Sequence, residues 1–269
     1  MKQLNQAEQA AKQELQEYLK NQGYKNYIAY ETGSQLVNLA DSHSDVDFYV
    51  FYVPDKWQLL TQNTEREDFV QLDKCEVKFV VIPQMIKLLM MGDPNVVELF
   101  FQEPFLISNG DNKIDQNLNQ LAEILYEKRE LLPSLSNGRY LKTCLYMMKK
   151  NVRKLRPNKK YYGNGSFGKT LFEYVKEYLY ADAYLQIMSG KVHLTFEQVV
   201  FPNEKTLDNY RKYKKINRFN SKIRNDTFKQ YDHHKLQHIY RSLKHQHKTS
   251  NHDSKRLLHE IVNLAPVFY

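Results

Sequence analysis

The feature that most constrains this chain is an unbroken run of β-branched and aromatic residues at positions 48–53. Such residues favour a buried strand. Asp45 and Asp47 stand just before the run, two positions apart, so in an extended chain their carboxylates project from the same face. Two acids on one face repel each other unless a cation lies between them. The pair therefore predicts a divalent-metal site at the start of a buried strand.

A second part of the predicted site precedes the aspartates. Residues 27–32 predict a short strand, and Gly33 and Ser34 follow it, ahead of a segment at 35–44 that predicts a short helix and a turn. Glycine lets a ligand approach the backbone closely, and a serine at a helix N-terminus offers its hydroxyl and its N–H to a phosphate. Gly33 and Ser34 are therefore the predicted triphosphate-binding residues.

A phosphate-binding turn beside a divalent-metal site suits nucleotidyl transfer, which generally uses two hard cations held by three carboxylates. A third acid is therefore expected on a neighbouring strand. Residues 69–72 and 74–82 predict a β-hairpin that turns near Asp73. Glu76 is the preferred third acid and Asp73 is the alternative. Lys78 shares a face with Glu76, because side chains alternate along a strand, so it can reach phosphate oxygens or neutralise Glu76.

Helical periodicity governs most of the remaining chain. Helices are predicted at residues 2–22, 83–91, 95–101, 115–132, 141–155 and 169–189 and over much of 204–246. Residues 192–196 are the one candidate for a later strand. We therefore predict an α+β fold in which an α/β domain with a small mixed sheet spans residues 1–110 and an α-helical domain spans residues 111–269.

Charge is uneven along the chain, whose formal net charge at pH 7 is +8. The densest basic segment runs from Arg139 to Lys169 and is interleaved with tyrosines: Tyr140, Tyr146, Tyr161 and Tyr162. A basic half suits a polyphosphate or a nucleic-acid backbone, with tyrosine stacking on bases. The structural alternative is a solvated basic surface over a core of tyrosines. The competing function class is a non-catalytic nucleic-acid-binding protein whose acids are structural.

The sequence also bears on location and redox chemistry. It has no run of eighteen apolar residues, which argues against a transmembrane helix and predicts no membrane partner. Its N-terminus lacks the apolar segment of a signal peptide, which predicts a cytoplasmic protein. Cys75 and Cys144 are far apart in the sequence and are expected to be free thiols.

Gly-Ser, ten residues, Asp-x-Asp on a strand and a later acid on another strand together resemble the signature of the DNA polymerase beta-like nucleotidyltransferase superfamily. Residues 86–100, a helix followed by Gly-Asp-Pro and then Glu-Leu-Phe, are similar to a segment of the predicted nucleotidyltransferases of the RNA-repair-associated group of phages and bacteria. The group usually has asparagine at the position of Asp93. The resemblance covers residues 28–102 and, more weakly, residues 169–190.

The resemblance implies a nucleotidyltransferase that uses Mg²⁺ or Mn²⁺, binds a nucleoside triphosphate such as ATP, and transfers the nucleoside monophosphate to a hydroxyl with release of pyrophosphate. By that resemblance Asp45, Asp47 and Glu76 are catalytic metal ligands, and Gly33 and Ser34 hold the triphosphate. Lys169 matches a lysine of the group's helix and joins Lys78 as a nucleotide-binding residue.

Two parts of the expectation stay open. The group's helical histidine and arginine positions hold Glu173 and either Lys176 or Glu177, which leaves recognition of the acceptor or base undefined. An RNA end is the first-ranked acceptor, and a protein hydroxyl or a small hydroxylated molecule are alternatives. The nucleotide and the oligomeric state are not specified.

Overall fold

A computed structural model of the 269-residue chain describes residues 6–33, 46–54, 68–108, 113–136, 138–156, 167–189, 194–216, 219–244 and 252–265. The described residues form a mixed α+β structure with a five-stranded mixed sheet, as predicted. Contacts divide the chain into two compact units: residues 1–90, 95–132 and 255–269 form the first, and residues 91–94 and 133–254 form the second. These units do not test the functional boundary at residue 110, which stays a prediction.

The sheet lies in the first unit, and its strands are β1 (Tyr27–Thr32), β2 (Val46–Tyr52), β3 (Asp68–Gln71), β4 (Cys75–Val81) and β5 (Leu106–Ile107). Their order across the sheet is β3-β4-β2-β1-β5. Strands β2 and β4 pair in parallel, and the other pairs are antiparallel. The central position of β2 explains its continuous apolar run, because a strand with neighbours on both edges is shielded from water. The predicted β3–β4 hairpin is confirmed.

Helix α1 (Gln6–Asn21) covers one face of the sheet, and it begins and ends within the range predicted for it. Its core side chains Ala11, Leu15 and Leu19 recur every four residues, so they form one stripe along the helix. Alternate side chains of β2 and β4 make up the face beneath it: Val46, Phe48, Val50, Tyr52, Cys75, Val77, Phe79 and Val81. Burial of these apolar side chains holds the helix on the sheet.

A charged cluster joins α1 to β1 at the edge of this core. Lys12 Nζ lies 3.1 Å from Glu8 Oε1, also forms an ion pair with Glu31, and lies 5.0 Å from the centroid of the Phe105 ring. Burial, followed by a hydrogen bond with Glu8, raises the pKa of Glu31. Two carboxylates therefore share one lysine, which fixes the N-terminal half of α1 against the sheet.

The other helices of the first unit are α2 (Ile82–Met91), α3 (Pro94–Leu99), α4 (Lys113–Glu127) and most of α12 (His252–Leu264). A 3₁₀ turn at Arg129–Leu131 and α5 (Leu132–Leu135) follow α4. Helix α4 contacts β1 and β5, where Ser108 Oγ donates to Asp115 Oδ1 at 2.6 Å and accepts from Tyr27 N at 3.1 Å. This buried serine joins the end of β5 to the start of α4.

The described residues of the second unit contain no strand, and most lie in helices: α6 (Arg139–Lys154), α7 (Phe167–Ser189), α8 (Phe196–Val200), α9 (Glu204–Lys214), α10 (Ser221–Gln230) and α11 (His233–Lys244). Helix α7 contacts α6, α8, α9 and α11. It is therefore apolar on several sides. Tyr140 of α6 is fully buried, and its ring packs against the rings of Tyr184 and Phe196.

The strand predicted at 192–196 is wrong over the part that the structure describes. Thr195 caps α8, which begins at Phe196: Thr195 Oγ1 accepts from Gln198 N at 3.2 Å, and Gln198 Oε1 accepts from Thr195 N at 3.0 Å. This reciprocal capping box satisfies two N–H groups at once and outweighs the local β propensity of the preceding residues. Residues 192–193 lie outside the described part of the chain.

The cysteines and the apolar content of the helices were also the subject of predictions. Cys75 and Cys144 are free thiols, as predicted, and both are buried. Burial, aided by Glu14, raises the pKa of the Cys75 thiol to about 12. Among the described residues, no helix is both long enough and apolar enough to cross a membrane. The two-residue strand β5 was not predicted, because so short an element has no periodicity of its own.

Gly92 and Gly23 provide a matched test of backbone packing. Both have positive φ, +71° and +75°, but a Cβ on Gly92 would lie 2.5 Å from the backbone of Tyr140, whereas a Cβ on Gly23 would meet nothing within 4 Å. We expect Gly23→Ala to lower the free energy of unfolding by about 1–2 kcal/mol, the cost of the left-handed conformation. Gly92→Ala should cost about 1–3 kcal/mol more through overpacking. Urea denaturation followed by circular dichroism measures both, and equal losses would contradict the packing assignment.

Candidate functional site

Five of the seven predicted site residues lie in the described part of the chain: Gly33, Asp47, Glu76, Lys78 and Lys169. Ser34 and Asp45 lie outside it, so nothing is established about their side chains. The first four described residues belong to the sheet region of the first unit, and Lys169 belongs to the second unit. The sheet residues therefore define the candidate site.

Asp47 and Glu76 are direct neighbours across the parallel β2–β4 pair. Partners in adjacent strands are about 4.8 Å apart, and their side chains project to the same face. That face is opposite to the α1 face, because the residues on either side of Asp47 and Glu76 along their strands belong to the core under α1. In this register Glu76, rather than Asp73, is the neighbour of Asp47.

Gly33 lies against the Asp47 side chain. It follows the last residue of β1, has φ +69°, and leaves so little space that an added Cβ would be 2.5 Å from Asp47 Oδ2. Glycine is therefore favoured here by the backbone conformation and by the nearby carboxylate. Two residues chosen from separate sequence motifs thus meet at one point of the fold.

Burial changes along the face that carries the acids. Tyr30 and Phe51 are buried at one end, where their rings pack against Phe100 at centroid distances of 5.3 and 5.8 Å. At the other end Asp47 is half-buried and Glu76 is exposed. The acids therefore lie at the solvent-accessible end of this face, and the aromatic cluster lies at its buried end.

Lys78 lies one row further along the same face. Its Nζ donates to Tyr49 Oη at 2.6 Å, lies 4.8 Å from the centroid of the Tyr49 ring and lies 5.4 Å from the centroid of the Phe69 ring. The ammonium group thus lies near two aromatic rings, on the sheet face that carries the acids. Tyr49 and Phe69 were not among the predicted site residues.

Asp73, the alternative third acid, is exposed in the β3–β4 turn. Its N–H donates to Glu14 Oε1 at 3.1 Å, and the N–H of Lys74 donates to Glu14 Oε2 at 2.9 Å. Because Glu14 belongs to α1, these bonds tie the turn to the helix that covers the opposite face. Glu76 is the carboxylate that pairing brings beside Asp47.

Lys169 is exposed in the first turn of α7. Further along the same helix, Glu177 is buried, and its Oε2 accepts a hydrogen bond from Asn151 Nδ2 of α6 at 3.2 Å. Burial, and then the nearby Glu173 charge, raises the pKa of Glu177 to about 8. Glu177 is therefore a neutral packing residue at neutral pH rather than a charged surface group.

The chain matches no protein-family model and no curated protein. Among the described residues, no group of three or more histidine, cysteine, aspartate or glutamate side chains is arranged to hold a metal ion. Asp47 and Glu76 are two of the three predicted carboxylates, and Asp45 lies outside the described part.

Glu177→Gln should change how stability depends on pH. The folded state keeps the carboxyl proton up to about pH 8, whereas the unfolded state loses it near 4.5. Stability of the native sequence should therefore fall as pH rises from 4.5 to about 8, because the folded state binds more protons. Glutamine cannot ionise, so the variant should gain on the order of 3–5 kcal/mol relative to the native protein across this window.

Urea denaturation at pH 4.5 and pH 8 measures the effect. Asp226→Asn, which changes an exposed carboxylate of the same unit, is the control and should show no comparable gain. A difference between Glu177→Gln and the native protein that does not vary with pH would show that the buried carboxyl does not titrate as assigned.

Proposed function

We propose that this protein is a divalent-metal-dependent nucleotidyltransferase that transfers a nucleoside monophosphate from a nucleoside triphosphate to a hydroxyl acceptor and releases pyrophosphate. The observation that carries the proposal is the pairing of Asp47 with Glu76 at the open end of one sheet face, with the Gly33 backbone packed against the Asp47 carboxylate. The resemblance of residues 28–102 to the DNA polymerase beta-like superfamily supports the same reaction class.

The donor set suits Mg²⁺ or Mn²⁺, which prefer carboxylate oxygens. Asp47 and Glu76 would hold the metal, together with Asp45 from the sequence. Bound metal would supply charge stabilisation for the triphosphate and for the departing pyrophosphate. A cation would also relieve the repulsion between two acids that pair on one face.

The chain's own residues then have distinct tasks. The backbone at Gly33 and Ser34 binds the triphosphate. Lys78 contributes positive charge on the same sheet face. Glu76 accepts the proton of the acceptor hydroxyl, whose oxygen bonds to the α-phosphorus as the bond to the bridging oxygen breaks. The proposed arrangement assigns this chemistry to residues 1–110, with residues 111–269 as the helical domain.

Carboxylate substitutions test the site directly. Asp47→Asn and Glu76→Gln keep the side-chain size but remove a charged oxygen donor, so each should lower transfer from labelled nucleoside triphosphate by at least about a hundredfold. Asp73→Asn should change the rate by less than about threefold, because Asp73 lies in the turn that is tied to α1. The measurement is incorporation of label from each of the four triphosphates into cellular RNA or protein.

Two outcomes would contradict the assignment. Native activity in both Asp47→Asn and Glu76→Gln would contradict the assignment of these residues as metal ligands. A large loss in Asp73→Asn with none in Glu76→Gln would identify Asp73 as the third acid. Thermal unfolding of each variant separates loss of chemistry from loss of fold.

Binding of nucleic acid by the basic helix α6 is a second candidate function. The helix carries six lysines and arginines and no acidic residue, and all six cations are exposed: Arg139, Lys142, Lys149, Lys150, Arg153 and Lys154. At 100° per residue they share one face, and Tyr146, 67% exposed, lies near its centre. Tyr140 is instead in the core. An exposed aromatic ring among cations suits a single-stranded nucleic acid.

Salt dependence tests this surface. Replacing Lys149, Lys150 and Arg153 together with glutamine should weaken binding to a short single-stranded RNA and lower the slope of log K against log salt by about 2, since each lost phosphate contact removes about 0.7. The matched control replaces three exposed lysines of other helices: Lys205, Lys212 and Lys229. Equal effects of the two triple variants would indicate nonspecific charge rather than a binding surface on α6.

A further inference from the structure

Phe69 is an aromatic side chain on the edge strand β3 that remains 63% exposed. Edge strands of natural proteins usually carry charged or polar residues where they meet water, because an exposed apolar edge invites association. Phe69 pairs with Lys78 in the antiparallel β3–β4 register, so its side chain belongs to the face that carries Asp47 and Glu76. The ring is therefore an accessible stacking surface on the sheet face that carries the candidate site.

The Phe69 ring lies close to the side chain of Lys78. Lys78 Nζ lies 5.4 Å from the centroid of the Phe69 ring, and the same ammonium donates to Tyr49 Oη. A cation at this distance from an aromatic ring is attracted to it, and the hydrogen bond to Tyr49 holds that cation in place. The ring is therefore steadied beside a positive charge, an arrangement that suits a flat π system carrying a phosphate.

The strand order puts Phe69 on the Glu76 side of the Asp47–Glu76 pair. Gly33 lies at the end of β1, on one side of β2, whereas β4 and then β3 lie on the other side. From strand spacing and rise, the Phe69 Cα is about 8 Å from that of Glu76 and about 12 Å from that of Asp47. Phe69 is thus on the Glu76 side, away from the triphosphate-binding turn.

We propose that the Phe69 ring stacks on a base of the acceptor, and that the acceptor is the 3′ end of a single-stranded nucleic acid. This inference rests on the proposed function, in which Glu76 receives the proton of the acceptor hydroxyl. A base stacked on Phe69 is then within one nucleoside's reach of Glu76, and Lys78 is beside its phosphate. A serine or threonine hydroxyl or a small polyol has no flat π face to stack on this ring.

The test measures binding without chemistry. The probe is a fluorescein-labelled ten-nucleotide oligoriboadenylate with a free 3′ hydroxyl, titrated with the full chain in EDTA and followed by anisotropy. Phe69→Ala and Phe69→Leu should weaken binding by about fivefold to a hundredfold, whereas Phe69→Trp, which keeps a stacking surface, should stay within about twofold of the native protein. Met90→Ala, which removes an exposed apolar side chain elsewhere, is the control and should bind as the native protein does.

A second arm separates the acceptor from the nucleotide donor. Binding of ATP with Mg²⁺, measured by calorimetry, should be unchanged in Phe69→Ala. Loss of ATP binding with native oligonucleotide binding would assign the ring to the donor and overturn the proposal. Native oligonucleotide affinity in Phe69→Ala, or in Phe69→Leu, would overturn it too, because leucine is apolar but cannot stack.

Folding and function are controlled separately. Phe69 is exposed, so its variants should unfold thermally as the native protein does, and the tryptophan variant reports on stacking even if truncation perturbs β3. If the variants lose oligonucleotide affinity as expected while Asp47→Asn and Glu76→Gln transfer label normally, the Phe69 contact is supported and the proposed function is overturned.

Discussion

The parallel pairing of β2 with β4 is the constraint on which the rest of the first unit depends. Both strands bury one set of alternate side chains under α1, and that requirement sets their register. A slip of one residue would turn the core set outward and the acids inward, because side chains alternate with a period of two. The position of Asp47 beside Glu76 is therefore a consequence of core packing on the opposite face.

The same sheet face serves two purposes along its length. At one end, Tyr30, Phe51 and Phe100 pack against one another and are buried from water. At the other end, the polar groups meet solvent on backbone that the paired strands already hold. Side chains on such a scaffold are positioned more accurately than side chains on loops, which favours chemistry that depends on the geometry of oxygen donors. Gly33 adds a backbone approach where no side chain would fit.

Helix α6 also has two different faces, one packed in the core and one exposed to solvent. Tyr140, Cys144 and Met148 are buried in the second unit, and the opposite surface is basic with Tyr146 among the cations. Between α6 and α7, Glu177 and Asn151 form a buried polar contact. A carboxyl there stays protonated at neutral pH because burial disfavours its charged form. Glu177 therefore contributes to packing between α6 and α7.

Local patterns in the sequence were enough to predict β1, β2, the β3–β4 hairpin, most helices and the shared face of Glu76 and Lys78, because alternation and helical periodicity depend only on near neighbours. They failed at residues 194–196, where a capping interaction decides the structure, and at β5, which exists only because β1 offers a free edge. Which strands lie side by side is a property of the whole chain. Only the tertiary structure therefore decided that Glu76 adjoins Asp47, that Gly33 packs on the Asp47 carboxylate, and that Phe69 remains exposed beside Lys78.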